Sequence, residues 1–365
     1  MRLAIAGGGT GGHIYPAVSA IEALGLLGRP TDVLWLGAAG RPEEAMAKER
    51  GWGFHPVQTA QVRGTGLRLP LHAAYAVGGA VGASRALKAF AADVLLATGG
   101  YVSVPGTLGA RLAGVPVVLF LPDASPGWAI RFLRRFAHVK AASSDAAAAA
   151  LGAGAVVTGY PVREAFATTE RDTARAALGL SNRPTVLILG GSSGARRLNA
   201  ATLRWAPQLL AEADVLHVAG RRDFEQVSQE AEAAGLSDAA GYHLYDYLEE
   251  MALAVAAADL VVSRAGAATL GELTVAARPS ILVPGTFGGG HQRYNSDYMR
   301  RQGCSEVIED DEVERALGPT VLELLGRPDC LADMAAKARA IARPDASRRL
   351  AQLLIETAED RRRVH

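Results

Sequence analysis

Thr10 and His13 stand three residues apart inside the glycine-rich stretch GGGTGGHIYP, residues 7–16. A histidine titrates near neutrality, and at the carboxyl end of a strand it is placed to take a proton from a hydroxyl. The plainer alternative is a histidine that caps the turn. Gly7, Gly9 and Gly12 also satisfy the GxGxxG dinucleotide fingerprint, but that use needs an acidic residue at the far end of the second strand. The second strand, Val33-Leu34-Trp35-Leu36, ends in Gly37-Ala38-Ala39-Gly40, and Asp32 sits at its wrong end. The stretch is therefore not read as an NAD site. Backbone N–H groups unshielded by side chains at a helix N-terminus still favour a phosphate or a developing oxyanion.

Four further stretches carry groups of the same kind. Thr98-Gly99-Gly100-Tyr101-Val102-Ser103-Val104-Pro105-Gly106 follows the strand-like VLLA, and GGSSGA at 190–195 offers the hydroxyls of Ser192 and Ser193 to a phosphate. In Ser263-Arg264-Ala265-Gly266-Ala267-Ala268-Thr269-Leu270-Gly271-Glu272 a strand ends and small residues let a ligand approach the backbone. A helix is expected from Ala267 or Ala268, with Glu272 one turn in, where a carboxylate can accept both hydroxyls of a ribose. His291 and Gln292, after GGG at 288–290, are expected to open another helix beside the same cleft.

The elements that must hold these turns alternate. Continuous apolar runs are expected as strands at 2–6, 32–36, 94–97, 115–120, 139–142 and 155–158, and again at 185–189, 215–219, 242–245, 260–263, 280–283 and 306–308. Runs of this length separated by alanine-rich helical stretches describe parallel strands covered on both faces, an α/β class with doubly wound sheets. The opening strand–glycine turn–helix recurs near Thr185 as TVLIL-GGSSGA-RRLNAATL, which implies two Rossmann-like halves. The seam is expected around Gly159–Arg163, where Pro161 stops regular pairing. Residues 347–363 read as an amphipathic helix, with Arg361–Arg363 as its solvated basic end.

At 365 residues the chain is long enough for two cores, and its formal net charge of +1 draws it to neither nucleic acid nor anionic lipid as a whole. Cys304 and Cys330 form no metal-binding or disulfide pattern, so a reduced cytosolic setting is the default. No run approaches the ~20 apolar residues of a membrane span.

Together these stretches resemble the MurG family of glycosyltransferases, which add N-acetylglucosamine to the lipid-linked muramyl-pentapeptide precursor of peptidoglycan. The matching residues run through nearly the whole chain: GGTGGH at 8–13, GGYVS-PG at 99–106, GVPVV at 114–118, PVR at 161–163, GGSSGAR at 190–196, RAGA-T--E at 264–272 and HQ--N at 291–295. The resemblance implies a GT-B fold, two Rossmann-like domains facing a cleft. Residues 1–160 would form the acceptor and membrane side, 161–345 the UDP-sugar domain, and a helix at 346–365 would pack back on the first. It implies that Glu272 holds the ribose, Ser192 with Ala267, Ala268 and Thr269 the diphosphate, and Leu248 lies by the uracil. Arg163 and Gln292 would contact the nucleotide-sugar, while Thr10, Gly11, Gly12, His13 and Tyr101 line the acceptor side. No cofactor is expected, and a metal is at most accessory.

Two departures stand out. Where the family carries His-Glu-Gln-Asn this chain has Phe120-Leu121-Pro122-Asp123, and where it carries Gly-Asn-Pro-Val-Arg this chain has Gly159-Tyr160-Pro161-Val162-Arg163. The expected reaction is a single inverting displacement with His13 as general base and Asp123 as the other candidate. A polyprenyl-linked acceptor implies contact with the cytoplasmic membrane face, for which Arg63–Leu71 (RGTGLRLPL) combines leucines with Arg63 and Arg68. Alternatives are a UDP-sugar transferase with another acceptor, a UDP-N-acetylglucosamine 2-epimerase, which shares the architecture, and a catalytically silent nucleotide-sugar binder.

Overall fold

The computed structural model describes residues 1–59, 69–191, 195–286 and 290–364. The chain divides into two compact units, Met1–Val162 with Pro344–His365, and Arg163–Arg343.

The first unit is built on seven parallel strands, β1 (Arg2–Gly7), β2 (Asp32–Gly37), β3 (Gly53–Pro56), β4 (Val94–Gly99), β5 (Val117–Leu121), β6 (Val139–Ala142) and β7 (Ala155–Val157), in the order β3-β2-β1-β4-β5-β6-β7. Leu3, Ile5, Trp35, Leu95, Leu96, Leu119 and Phe120 are fully buried, as continuous apolar strands covered on both faces require. The strand order reverses between β1 and β4, and ligands of open α/β sheets bind outside the strand ends at such a point. There Gly7 faces Gly99 across a register shift, so the two glycine turns of the first half lie side by side.

The second unit has six parallel strands, β8 (Thr185–Leu189), β9 (Asp214–Val218), β10 (Tyr242–Tyr245), β11 (Leu260–Ser263), β12 (Ser280–Leu282) and β13 (Ser305–Val307), ordered β10-β9-β8-β11-β12-β13. Its reversal falls between β8 and β11, where Leu189 pairs with Ser263, so the turns after these strands are neighbours too. A buried polar chain crosses this core. Asn199 donates through Nδ2 to the Ala219 carbonyl (3.0 Å), which leaves its Oδ1 to accept from His217 Nε2 (3.1 Å). His217 Nδ1 then accepts from the Tyr242 hydroxyl at 2.8 Å. Burial pushes the His217 pKa down to about 3 and raises that of Tyr242.

Each strand expected from the sequence is present, with ends shifted by one or two residues. β3 was not expected: GFHP has no β-branched run, and an edge strand tolerates its proline. The C-terminal helix, Ala346–Val364, buries Leu350, Ala351, Leu354 and Ala358 against the first unit. Arg361 is not the solvated charge expected of it. Its guanidinium donates to the Ala92 carbonyl at 2.5 Å, while Arg29 pairs with Glu359.

Candidate active site

In the first unit the residues between β1 and the helix Gly11–Leu26 form a turn held from several sides. Trp35 Nε1 donates to the Gly7 carbonyl (2.8 Å), Thr98 Oγ1 to the His13 carbonyl (2.6 Å) and the Tyr160 hydroxyl to the Gly12 carbonyl (3.3 Å). Thr10 is the N-cap residue, yet its hydroxyl makes no capping bond and lies 3.2 Å from His13 Nδ1. With Nδ1–H donating to Thr10, the lone pair of His13 is on Nε2, the arrangement a general base needs.

The second glycine turn makes room for this ring. A Cβ at Gly99, whose φ is +112°, would lie 2.8 Å from His13 Cδ2 and 2.9 Å from Nε2, and one at Gly100 would lie 2.7 Å from the Gly8 carbonyl oxygen. Buried Ser103 fastens this turn to β1: its Oγ accepts from Gly99 N–H at 2.9 Å and lies 2.7 Å from the Ala6 carbonyl oxygen. Tyr101 is exposed beside it.

The turn is not the fully open anion cradle that its glycines suggest. Fully buried Glu43 accepts from the Gly9 amide (3.2 Å) and from the Ala38 amide (3.3 Å), so one amide of the turn already serves a carboxylate of the protein. The first-turn amides of the helix, at Gly11 and Gly12, have no intrahelical acceptor and sit beside His13.

In the second unit, Glu272 is one turn into the helix Thr269–Val275. Burial pushes its pKa up to about 7, while the Arg163 guanidinium pulls the other way. Arg163 lies over the Phe166 ring at 5.3 Å and donates to the Glu249 carbonyl at 3.4 Å. It thereby ties the segment containing partly buried Leu248 to the surroundings of Glu272. Arg163, Leu248 and Glu272 are far apart in sequence and share one region of this unit.

The turn before that helix is braced from below. Arg264 pairs with Asp310 at 2.5 Å and donates to the Val283 carbonyl at 3.2 Å, and Asn295 donates to the Ala265 carbonyl at 3.0 Å. Thr269 donates its hydroxyl to the Arg264 carbonyl (3.1 Å) and its amide to the Gly266 carbonyl (3.1 Å), so both groups shape the turn. The helix begins at Thr269, one to two residues later than expected. Ala267 is buried and Ala268 partly so. Gln292, near the start of the helix His291–Arg301, accepts from the Gly285 amide at 2.8 Å. Ser192 and residues 63–68 lie outside the described residues.

Models of the glycosyltransferase family 28 N-terminal and C-terminal domains match residues 3–141 and 185–350. A UDP-N-acetylglucosamine–N-acetylmuramyl-(pentapeptide) pyrophosphoryl-undecaprenol N-acetylglucosamine transferase of Halorhodospira halophila is 38% identical, with 98% of each chain covered. One bearing the same name in Acidothermus cellulolyticus is 36% identical over the whole of both chains. The chain belongs to glycosyltransferase family 28. Within that family it is a relative of MurG: the crystal structure of Acinetobacter baumannii MurG covers 97% of this chain with a TM-score of 0.76 at 26% identity. The fold is GT-B. UDP-N-acetylglucosamine 2-epimerase of Neisseria meningitidis also superposes, with a TM-score of 0.65, but at 13% identity that likeness concerns the fold alone.

The departures from the MurG pattern acquire a location. Phe120 and Leu121 are sealed in the core, at 0% and 1% exposure, and only Asp123 of the four-residue stretch is partly exposed. Phe120 and Tyr160 touch each other, ring centroids 6.3 Å apart and tilted by 58°. The sequence reading passed over Glu43 and Asp310, and quoted Ser103 and Arg264 within motifs without giving either a role. Glu43 follows Pro42 at a helix start, where acidic residues are ordinary, and nothing local marks it as buried.

Proposed function

We propose that this chain transfers N-acetylglucosamine from UDP-N-acetylglucosamine to the lipid-linked muramyl-pentapeptide, converting lipid I to lipid II, with inversion at the anomeric carbon. What carries the proposal is the likeness to relatives named for this reaction over 98% or more of both chains. A sugar hydroxyl of the acceptor attacks the anomeric carbon as the bond to UDP breaks. His13 Nε2 takes the hydroxyl proton, with Thr10 holding Nδ1–H and so fixing the tautomer. Asp123 is the competing base. Gly11, Gly12 and Tyr101 line the acceptor side.

On the donor side Glu272 accepts from the ribose hydroxyls, and Leu248 packs by the uracil. Arg163 and Gln292 reach the nucleotide-sugar, and the diphosphate takes Ser192 and the amides of Ala267 and Ala268, on a turn that Thr269 shapes. Oriented backbone dipoles there stabilise the charge that develops on the leaving UDP. The assay is incubation with UDP-N-acetylglucosamine, with and without the lipid-linked acceptor, following UDP release and product mass. Acceptor-dependent UDP release supports the proposal. A UDP-sugar of unchanged mass and new stereochemistry, formed without acceptor, would make the chain an epimerase.

The acceptor's polyprenyl chain further implies a peripheral position on the cytoplasmic face of the membrane. Among the described residues no helix is long and apolar enough to cross a bilayer. The helix Leu69–Phe90 begins within the segment 63–71 and exposes Val77 and Val81 on the face that continues to exposed Arg85 and Lys88. Apolar residues next to basic ones suit an anionic lipid surface. Sedimentation with anionic vesicles should fall for Val81→Glu and Arg85→Glu, and unchanged binding in both would remove this face from consideration.

A further inference from the structure

We propose that Glu43 is a positioning residue for the transfer: tied to the amides of Gly9 and Ala38, its buried carboxylate fixes the glycine turn that presents His13. This inference rests on His13 acting at the acceptor hydroxyl, as proposed above.

An ionisable carboxyl with 0% exposure is costly unless its oxygens are hydrogen-bonded. Glu43 meets that condition with one amide from each of two different turns, Gly9 after β1 and Ala38 after β2. The first turn is cut away to admit it, and the end of β2 is cut away for it and for Phe54. A Cβ at Gly8 would lie 2.2 Å from Glu43 Oε1, and one at Gly37 would lie 2.5 Å from the Phe54 ring and 2.9 Å from Glu43 Cγ. The carboxylate is thus a clamp between two strand ends, seated where backbone alone can pass.

Its effect reaches His13 through one peptide link and one side-chain contact. Gly9 has a φ of +87°, a conformation open to several alternatives without a tether, and the next residue is Thr10, whose Oγ1 is 3.2 Å from His13 Nδ1. The other fastenings of the turn, from Trp35, Thr98 and Tyr160, all hold its carbonyl oxygens. Glu43 instead holds a backbone donor of the turn, the Gly9 amide. Releasing Gly9 lets Thr10 rotate, and the ring loses both its tautomer lock and its seat against Gly99.

The test uses Glu43→Gln, which keeps the volume and removes the charge and one acceptor oxygen, together with Glu43→Asp, which keeps the charge and shortens the reach. Both are compared with His13→Ala and with the Glu43→Gln/His13→Ala double variant in the lipid-acceptor assay. The expected result is a kcat lowered about 10- to 100-fold by Glu43→Gln, as a misplaced catalytic group produces. KM for UDP-N-acetylglucosamine should stay within about twofold, since the clamp acts on the acceptor side. The double variant should be no slower than His13→Ala, because both changes remove one function. A collapse in His13→Ala with normal kcat in Glu43→Gln overturns the role of Glu43 alone, as does a multiplicative loss in the double variant. Near-normal kcat in His13→Ala overturns the role of His13 and, with it, this inference. If neither Glu43 variant shows a cooperative thermal transition, the clamp serves folding only and the inference fails.

Discussion

The donor side makes a quantitative demand on pH. In the absence of nucleotide, burial holds the Glu272 pKa at about 7, even with Arg163 nearby. A protonated carboxyl has only one oxygen fully free to accept, whereas a ribose presents two hydroxyl donors, so with Glu272 holding the ribose as proposed the nucleotide selects the ionised form. Binding therefore releases a proton, and affinity falls as pH drops below the pKa of the free site. With that value at 7 the dissociation constant should scale as 1 + 10^(7−pH): about 1.1 times its limiting value at pH 8, about twice at pH 7 and about 30 times at pH 5.5. The ligand to use is UDP-N-acetylglucosamine, whose diphosphate is doubly esterified and does not titrate in this range, unlike the terminal phosphate of UDP. Calorimetry between pH 5.5 and 8.5, in buffers of different ionisation enthalpy, gives both the affinity and the proton count. Glu272→Gln should bind more weakly at pH 8 and lose the slope. Arg163→Ala removes the positive charge that favours the carboxylate, so the break should move to higher pH whatever happens to absolute affinity. An affinity constant within about twofold from pH 6 to 8, or a slope that survives in Glu272→Gln, would refute the assignment.

The remaining expectations concern the acceptor side and the core. His13→Ala should abolish most turnover while Asp123→Asn retains it, and the reverse pattern in kcat would transfer the base to Asp123. Gly99→Ala places a methyl group 2.8 Å from His13 Cδ2 at a φ of +112°. It should cost about 1–3 kcal/mol in a urea melt and lower kcat with little change in KM for the nucleotide-sugar. Wild-type turnover would mean that the ring does not depend on this seat. His217 has a folded pKa of about 3 against an ordinary value of 6.5, so its contribution is complete above pH 6.5 and is lost as pH falls toward 3. At about 1.36 kcal/mol per unit, with the unfolded histidine already half protonated at pH 6.5, it accounts for about 2 kcal/mol between pH 6.5 and 4.5. Between those two pH values the urea-unfolding stability of the wild type should fall by this amount more than that of His217→Asn, and parallel pH profiles would falsify the linkage.

What could be read in advance follows a physical divide. The strands were legible because each is buried on both faces and so must be apolar without interruption. The glycine turns were legible because Gly99 and Gly100 stand where a side chain would strike His13 or Gly8, leaving the sequence little choice. Residues whose role depends on tertiary approach were not. Arg264 stands in a ligand-like motif but braces Asp310 and the Val283 carbonyl, and Arg361 closes on Ala92, 269 residues away. Glu43 carries a charge that local pattern assigns to solvent, and only the meeting of two strand ends turns it inward.

The same divide alters the meaning of the two departures from the MurG pattern. In the sequence Phe120 and Tyr160 are separate losses, a histidine in one motif and an asparagine in another. In space their rings touch, inside the first unit and away from solvent. A lone polar group at either position would face an aromatic ring with a hydrogen-bonding demand to meet, whereas two aromatic residues satisfy each other by packing. The Tyr160 hydroxyl then reaches the Gly12 carbonyl, so the altered pair still supports the turn that carries His13. With Leu121 also sealed in the core, the partly exposed change left from that motif is Asp123, a carboxylate where the family pattern has an asparagine. For the proposed reaction the two candidate bases therefore stay His13, with its Thr10 partner, and Asp123, just after β5.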